Sequence, residues 1–160
     1  MRKRIELDRN GCNVKENSGI NCNKKRMEHW IFISSTKRFR MDDWLRDNDF
    51  VEYFQKNKVH VNDVVYLYTT APVCRIEYKM IVERINIPVA EGVDDSAYSL
   101  DPQPVQHGPQ DLLVRLMLVK KVNNPRLSLA NLRKHGLKSS MQGNLKVPNG
   151  LIDYIDSCFK

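Results

Sequence analysis

The chain has 160 residues, with 26 Lys and Arg against 19 Asp and Glu, a formal charge of +7, and 41% hydrophobic and 28% charged residues. That length suits one domain whose core buries roughly two-thirds of the unfolded surface, and the composition excludes wholesale disorder, a collagen-like repeat and a disulfide mini-scaffold. No apolar run reaches the ~18 residues of a membrane helix, and no apolar stretch before a small-residue cleavage site marks a secretory signal, so a cytoplasmic location is expected.

Residues 1–26 hold eight basic and three acidic residues, five Asn and two Gly, a local charge of +5 that leaves +2 for residues 27–160. With almost no large apolar side chain, the segment cannot offset its ordering entropy and is expected to be a flexible basic tail or leader. The folded domain is expected over 27–160. Cys12, Cys22, Cys74 and Cys158 form no CxxC pair, so four reduced thiols are expected. A zinc site from Cys12, Cys22 and His29 lacks both a usual spacing and a fourth ligand.

Trp30-Ile31-Phe32-Ile33-Ser34 reads as a strand ended by the polar turn of Ser35 and Thr36. Asp42 or Asp43 then caps a predicted helix whose apolar side holds Leu45, Phe50, Val51 and Phe54. The turn signal Asn62-Asp63 precedes a second strand over 64–70, ending near Pro72. A third strand over 74–87 alternates: Cys74, Ile76, Tyr78, Met80 and Val82 share one face and Arg75, Glu77, Lys79 and Glu83 the other, which predicts one buried face. Residues 88–110, with Pro88, Pro102, Pro104 and Pro109, form a long loop. A fourth strand follows over 112–122, then a short helix opened by Ser128 and stopped by Gly136. A last helix after Pro148 carries Leu151, Ile152 and Ile155 on one face. The order β-α-β-β-loop-β-α-α predicts an α+β fold, a small mixed barrel covered by helices.

These residues carry a resemblance. Trp30-Ile31-Phe32 with Phe39 and Met41-Asp42, then 62–68, then 76–82, and the closing stretches 127–132, His135-Gly136-Leu137, Gln142-Gly143 and 151–155 resemble the EVE domain of the PUA-like superfamily, related to YTH and ASCH domains. The resemblance covers about residues 27–158. It departs where the family commonly has Gly-Asp and this chain has Asn62-Asp63, and where the family often has His-Ser and this chain has Thr69-Thr70. It implies a mixed β pseudo-barrel flanked by helices, with a pocket for a flipped, modified base. Relatives read methylated or hydroxymethylated cytosine in DNA, so nucleic acid is the expected partner, DNA rather than RNA. A separate restriction-type nuclease is a second partner to consider; no membrane and no cofactor are expected.

A flipped base needs flat apolar walls and a few hydrogen-bonding groups for its polar edge. Trp30, Trp44, Tyr68 and Tyr98 are candidate walls, and Ser34, Ser35, Thr69 and Thr70 are candidate edge contacts. By the resemblance, Trp30 with Ser34-Ser35 and Tyr68 with Thr69-Thr70 match the pocket-lining stretches. Lys37, Arg38 and Arg40 follow the first turn and would hold flanking phosphates. Each has a plainer reading: Trp30 and Trp44 as core, Tyr66 and Tyr68 as barrel filling, and the basic clusters, including Lys120-Lys121 and Arg133, Lys134 and Lys138, as solvated surface.

The alternative reading is a Mg²⁺-dependent nuclease, in which Asp63 and Glu77 hold the ion and Lys79 assists the attacking water. A cross-strand surface ladder accounts for Glu77 and Lys79 more simply. A PUA-like module for a small ligand or a protein partner is a third reading. No nucleophile elbow, zinc-protease, Walker A, dinucleotide or deaminase motif is present, so the domain is expected to be non-catalytic.

Overall fold

Strand runs and helix caps resolve into β1 (His29–Ser34), α1 (Met41–Asp47), β2 (Phe50–Phe54), β3 (Val64–Thr69), β4 (Arg75–Pro88), β5 (Leu112–Lys121), α2 (Leu129–Lys134), β6 (Leu145–Lys146) and α3 (Asn149–Ser157) in a computed structural model of the chain. The structure describes residues 27–102 and 108–160. The basic segment 1–26, with Cys12 and Cys22 of the zinc reading, and Pro104 and His107 of the long loop, lie outside the described residues. Among the described residues no helix is long and apolar enough to cross a membrane.

The strands form one sheet in the order β2-β5-β4-β3-β1-β6, with β1 and β3 parallel and the other pairings antiparallel. Period-two side chains send Trp30, Phe32, Val65, Leu67, Met80 and Val82 into a core beneath α1. Ile31, Tyr66, Tyr68 and Ile76 go into a second core beneath α2 and α3. The sheet curls so far that Tyr53 of β2 reaches β1: its ring lies 5.4 Å from that of Phe32, and its hydroxyl donates to the Ile33 carbonyl at 3.1 Å. Side chains close the curl, and the result is a pseudo-barrel flanked by helices.

Two expectations are corrected. The helix read through Phe54 stops at Asp47, because Asn48 turns extended and its side-chain amide donates to the Trp44 carbonyl at 3.1 Å. Phe50, Val51 and Phe54 then belong to the edge strand β2, paired with β5. Phe-Val-Glu-Tyr-Phe satisfies both a helical and an alternating spacing, and its partner strand decides between them. Nor do Asp42 and Asp43 cap α1: the N-cap is Arg40, without a side-chain bond, and the two carboxylates sit in the first turn, where the helix dipole favours them.

The single buried face expected of β4 is also absent. A register shift between Leu67 and Tyr68 sets Glu77 as an extra residue in the ladder, so Ile76 packs under α2 and α3 while Tyr78 and Met80 pack under α1. The helices after β5 match the caps: Ser128 Oγ accepts from Asn131 N at 3.2 Å, and Gly136 takes φ +115° after α2. Strand β6 has two residues, but Asn144 Oδ1 just before it accepts from Ile33 N at 3.0 Å and extends the cover over β1.

His29, at the head of β1, stacks on Tyr66 at 6.0 Å with its Nδ1 buried and unpartnered. Burial holds its imidazole below the ordinary 6.5, with the Asp156 carboxylate opposing the shift. The unfolded chain therefore takes up the proton first, so stability is full above the unfolded value and falls as pH drops through it toward the folded one. Urea midpoints at about pH 7.5 and about pH 5.5 should differ, with the lower at acid pH, and His29→Gln should narrow that gap. An unchanged gap in the variant would refute the assignment.

Candidate functional site

Parallel strands leave a sheet at the same end, and this places the tails of β1 and β3 side by side, Ser34 opposite Thr69. The two exits are laced together. Thr70 N donates to the Ser34 carbonyl at 3.1 Å, Thr36 N to Thr70 Oγ1 at 3.1 Å, and Thr36 Oγ1 to the Ala71 carbonyl at 2.7 Å. The structure thus brings together Ser34, Ser35, Thr69 and Thr70. Lys37 and Arg38 follow in the exposed turn, with no ion pair among the described residues.

The polar groups here are unusually uncommitted. Thr69 is 8% exposed and its Oγ1 is buried without a partner; Arg75, across from Thr69 on β4, has its Nε buried without one. Glu77, the extra residue at the register shift, is also 8% exposed, and its carboxylate takes no hydrogen bond or ion pair among the described residues. Buried polar groups are almost always paired, and leaving one unpaired costs about 1–3 kcal/mol, more for a charge. Thr69 Oγ1 and Arg75 Nε, with the Glu77 carboxylate close by on β4, form a patch that can gain bonds from a ligand. Tyr53, whose hydroxyl is raised by burial and whose ring leans over β1, lies beside Ser34.

The other expected pocket residues are placed elsewhere. Trp30 is four residues before Ser34, roughly 13 Å along the strand; it is buried, and its indole Nε1 donates to Asp63 Oδ2 at 3.1 Å. Tyr68 points to the opposite face, with its hydroxyl pushed up to about 12 by burial and by the Cys74 thiol. Trp44, on the buried side of α1, donates Nε1 to the Phe50 carbonyl at 2.6 Å, and Tyr98 meets it edge-on at 5.1 Å while bonding Asp47 at 3.0 Å. Arg40 lies over Tyr98 at 5.3 Å and donates to the Ala97 carbonyl at 2.6 Å. Arg40 and Tyr98 line a shallow depression of about 530 Å³ with Asp43, Arg46, Asp47 and Ala97, distinct from the strand ends. Sequence reasoning did not single out Arg75 and Tyr53, which the structure brings to these strand ends, and it assigned Glu77 to a different chemistry.

The nuclease constellation is not assembled. Asp63 opens β3 and accepts from Glu28 N at 3.0 Å, Trp30 Nε1 and His60 N at 2.9 Å, whereas Glu77 lies beside the far end of that strand. Lys79 pairs with Asp156 at 3.1 Å next to Tyr66, whose hydroxyl also donates to Asp156. Among the described residues no group of three or more His, Cys, Asp or Glu is placed to hold a metal ion.

This architecture has solved counterparts. An ASCH protein from Zymomonas mobilis matches with a TM-score of 0.57 and 10% identity, over 83% of this chain and 96% of that one. Human THYN1, solved in complex with DNA containing 5-methylcytosine, matches with a TM-score of 0.56 and 12% identity, over 81% and 96%. The chain has a PUA-like fold. A hypothetical protein from Leishmania major shares the PUA-like arrangement at a TM-score of 0.57 and 16% identity, over 82% and 93%. No protein-family model matches the sequence, and no curated protein matches it.

Proposed function

We propose that this PUA-like domain is a non-catalytic reader of nucleic acid that seats an extruded modified base, of the methylated or hydroxymethylated cytosine class in DNA, at the ends of β1 and β3. The observation that carries the reading is the pair of buried, unpartnered atoms Thr69 Oγ1 and Arg75 Nε, facing each other across β3 and β4 next to Glu77. A cytosine edge offers an amino donor, which a carboxylate accepts, and two acceptors suited to Thr69 and Arg75. Ser34, Ser35 and Thr70 complete the polar rim, Tyr53 supplies a flat side, and Lys37 and Arg38 position the flanking phosphates. Extruding a base costs a few kcal/mol, which stacking and edge bonds offset. The THYN1 complex with 5-methylcytosine DNA supports the choice of ligand.

The test is a titration of otherwise identical oligonucleotides bearing plain, methylated or hydroxymethylated cytosine against wild type and Thr69→Val. One hydrogen bond contributes about 0.5–1.5 kcal/mol. Thr69→Val should therefore weaken binding of the preferred oligonucleotide about fivefold, with stability unchanged or raised because an orphaned hydroxyl is removed. Equal affinity for all three bases, unmoved by the substitution, would overturn the reading.

A further inference from the structure

The surface around α2 carries a second arrangement that the base site does not use. His135, just past α2, lies flat on Tyr154 of α3, with ring centroids 3.6 Å apart and planes 13° from parallel. Both rings are held. Tyr154 donates to the Arg126 carbonyl at 2.5 Å, with the Arg126 guanidinium 5.4 Å from its ring, and His135 Nδ1 lies 2.9 Å from the Asn131 carbonyl. A carbonyl only accepts, so Nδ1 carries the proton. Yet His135 is exposed, with Tyr154 stacked against its imidazole. Arg126 against Tyr154, and Arg133, Lys134 and Lys138 beside His135 in the chain, are exposed, and none is in an ion pair among the described residues.

This surface adjoins the strand ends. Leu129 N at the start of α2 donates to the Cys74 carbonyl at 3.0 Å, and Ser128 bridges to Arg75. A flat, fixed, exposed ring accompanied by unpaired cations is what an unpaired nucleotide takes, its base by stacking and its phosphates by charge. We infer that the His135–Tyr154 stack, with Arg126, Arg133, Lys134 and Lys138, is a second nucleic-acid contact that stacks an unpaired nucleotide flanking the extruded base. The inference rests on the nucleic-acid reading above and extends it from one base to the strand beside it.

Fluorescence anisotropy with a single-stranded DNA carrying one central modified cytosine tests it, against wild type, His135→Ala, His135→Phe, Arg133→Glu/Lys134→Glu and Thr69→Val. His135→Ala should weaken binding about fivefold, and His135→Phe should restore it, because stacking is sequence-tolerant and needs only a flat face. The double charge reversal should weaken binding and flatten its salt slope by about 0.7 for each phosphate contact removed. The ratio of affinities for modified and plain cytosine should stay at the wild-type value in all three, and change only in Thr69→Val. Wild-type affinity in His135→Ala, or equal losses in His135→Ala and His135→Phe, would overturn the platform while leaving the base site standing. Failure of the wild type to bind any oligonucleotide would overturn both.

Discussion

Asp63→Ala is expected to lower the unfolding free energy by about 3–5 kcal/mol, because three neutral donors lose one charged acceptor and each such bond contributes about 1.5–3 kcal/mol. Asp63 is 2% exposed, and its carboxylate accepts from Glu28 N, Trp30 Nε1 and His60 N. Removing it strands three donors, each costing about 1–3 kcal/mol if left dry; water entering at His60, which is partly exposed, limits the total. Urea unfolding read by Trp fluorescence measures the loss, and a change under about 1 kcal/mol would show that the carboxylate is not the tie it is taken to be. Trp30→Phe removes just one of the three bonds and should cost about 1 kcal/mol from that bond. Because Trp30 lies at the other end of β1 from Ser34, Trp30→Phe should leave discrimination between modified and plain cytosine intact. Loss of discrimination in a fully folded Trp30→Phe protein would move the pocket away from the strand ends.

Glu77→Gln is expected to weaken binding while leaving folding nearly unchanged. Glu77 makes no hydrogen bond or ion pair among the described residues, so the isosteric amide should leave the unfolding free energy within about 0.5 kcal/mol. The same substitution removes a charged acceptor from the proposed base edge, where a hydrogen bond to a charged group contributes about 1.5–3 kcal/mol. Affinity for the preferred oligonucleotide should therefore fall tenfold or more. Thermal unfolding and the same titration report the two effects on one sample. A destabilised variant with unchanged affinity would refute both the lack of a partner and the role.

Much of the frame can be read from residue order. β1, β3 and β5 announce themselves by β-branched and aromatic runs with polar stops, and α2 by Ser128 at one end and Gly136 at the other. Two short pairings were not legible. β2 shares its spacing with a helix turn, and β6 is two residues long; both are settled by distant partners, Met117 for Phe50 and Lys146 for Trp30. Half of the proposed site was legible for a simple reason: Ser34, Ser35, Thr69 and Thr70 end two strands that must leave the sheet together once those strands are parallel. The other half was not. Arg75 and Glu77 come into play through a one-residue register shift, and no local pattern reveals such a shift. Trp30 misleads because an aromatic at a strand head suits a wall or a core equally. The deciding fact is a carboxylate 33 positions away that needs its indole proton.

The cover of β1 by β6 has a consequence for solubility. A long apolar strand whose outer backbone met solvent would be a template for another molecule's strand, the usual start of edge-to-edge aggregation. Here a two-residue strand is enough because its neighbours complete the row: Val147 N donates to the His29 carbonyl at 2.8 Å, and the Asn144 side chain takes the Ile33 amide at 3.0 Å. One amide side chain thus stands in for the missing length of strand, and the edge beside the proposed base site is closed to a foreign chain while the polar end of β1 stays free.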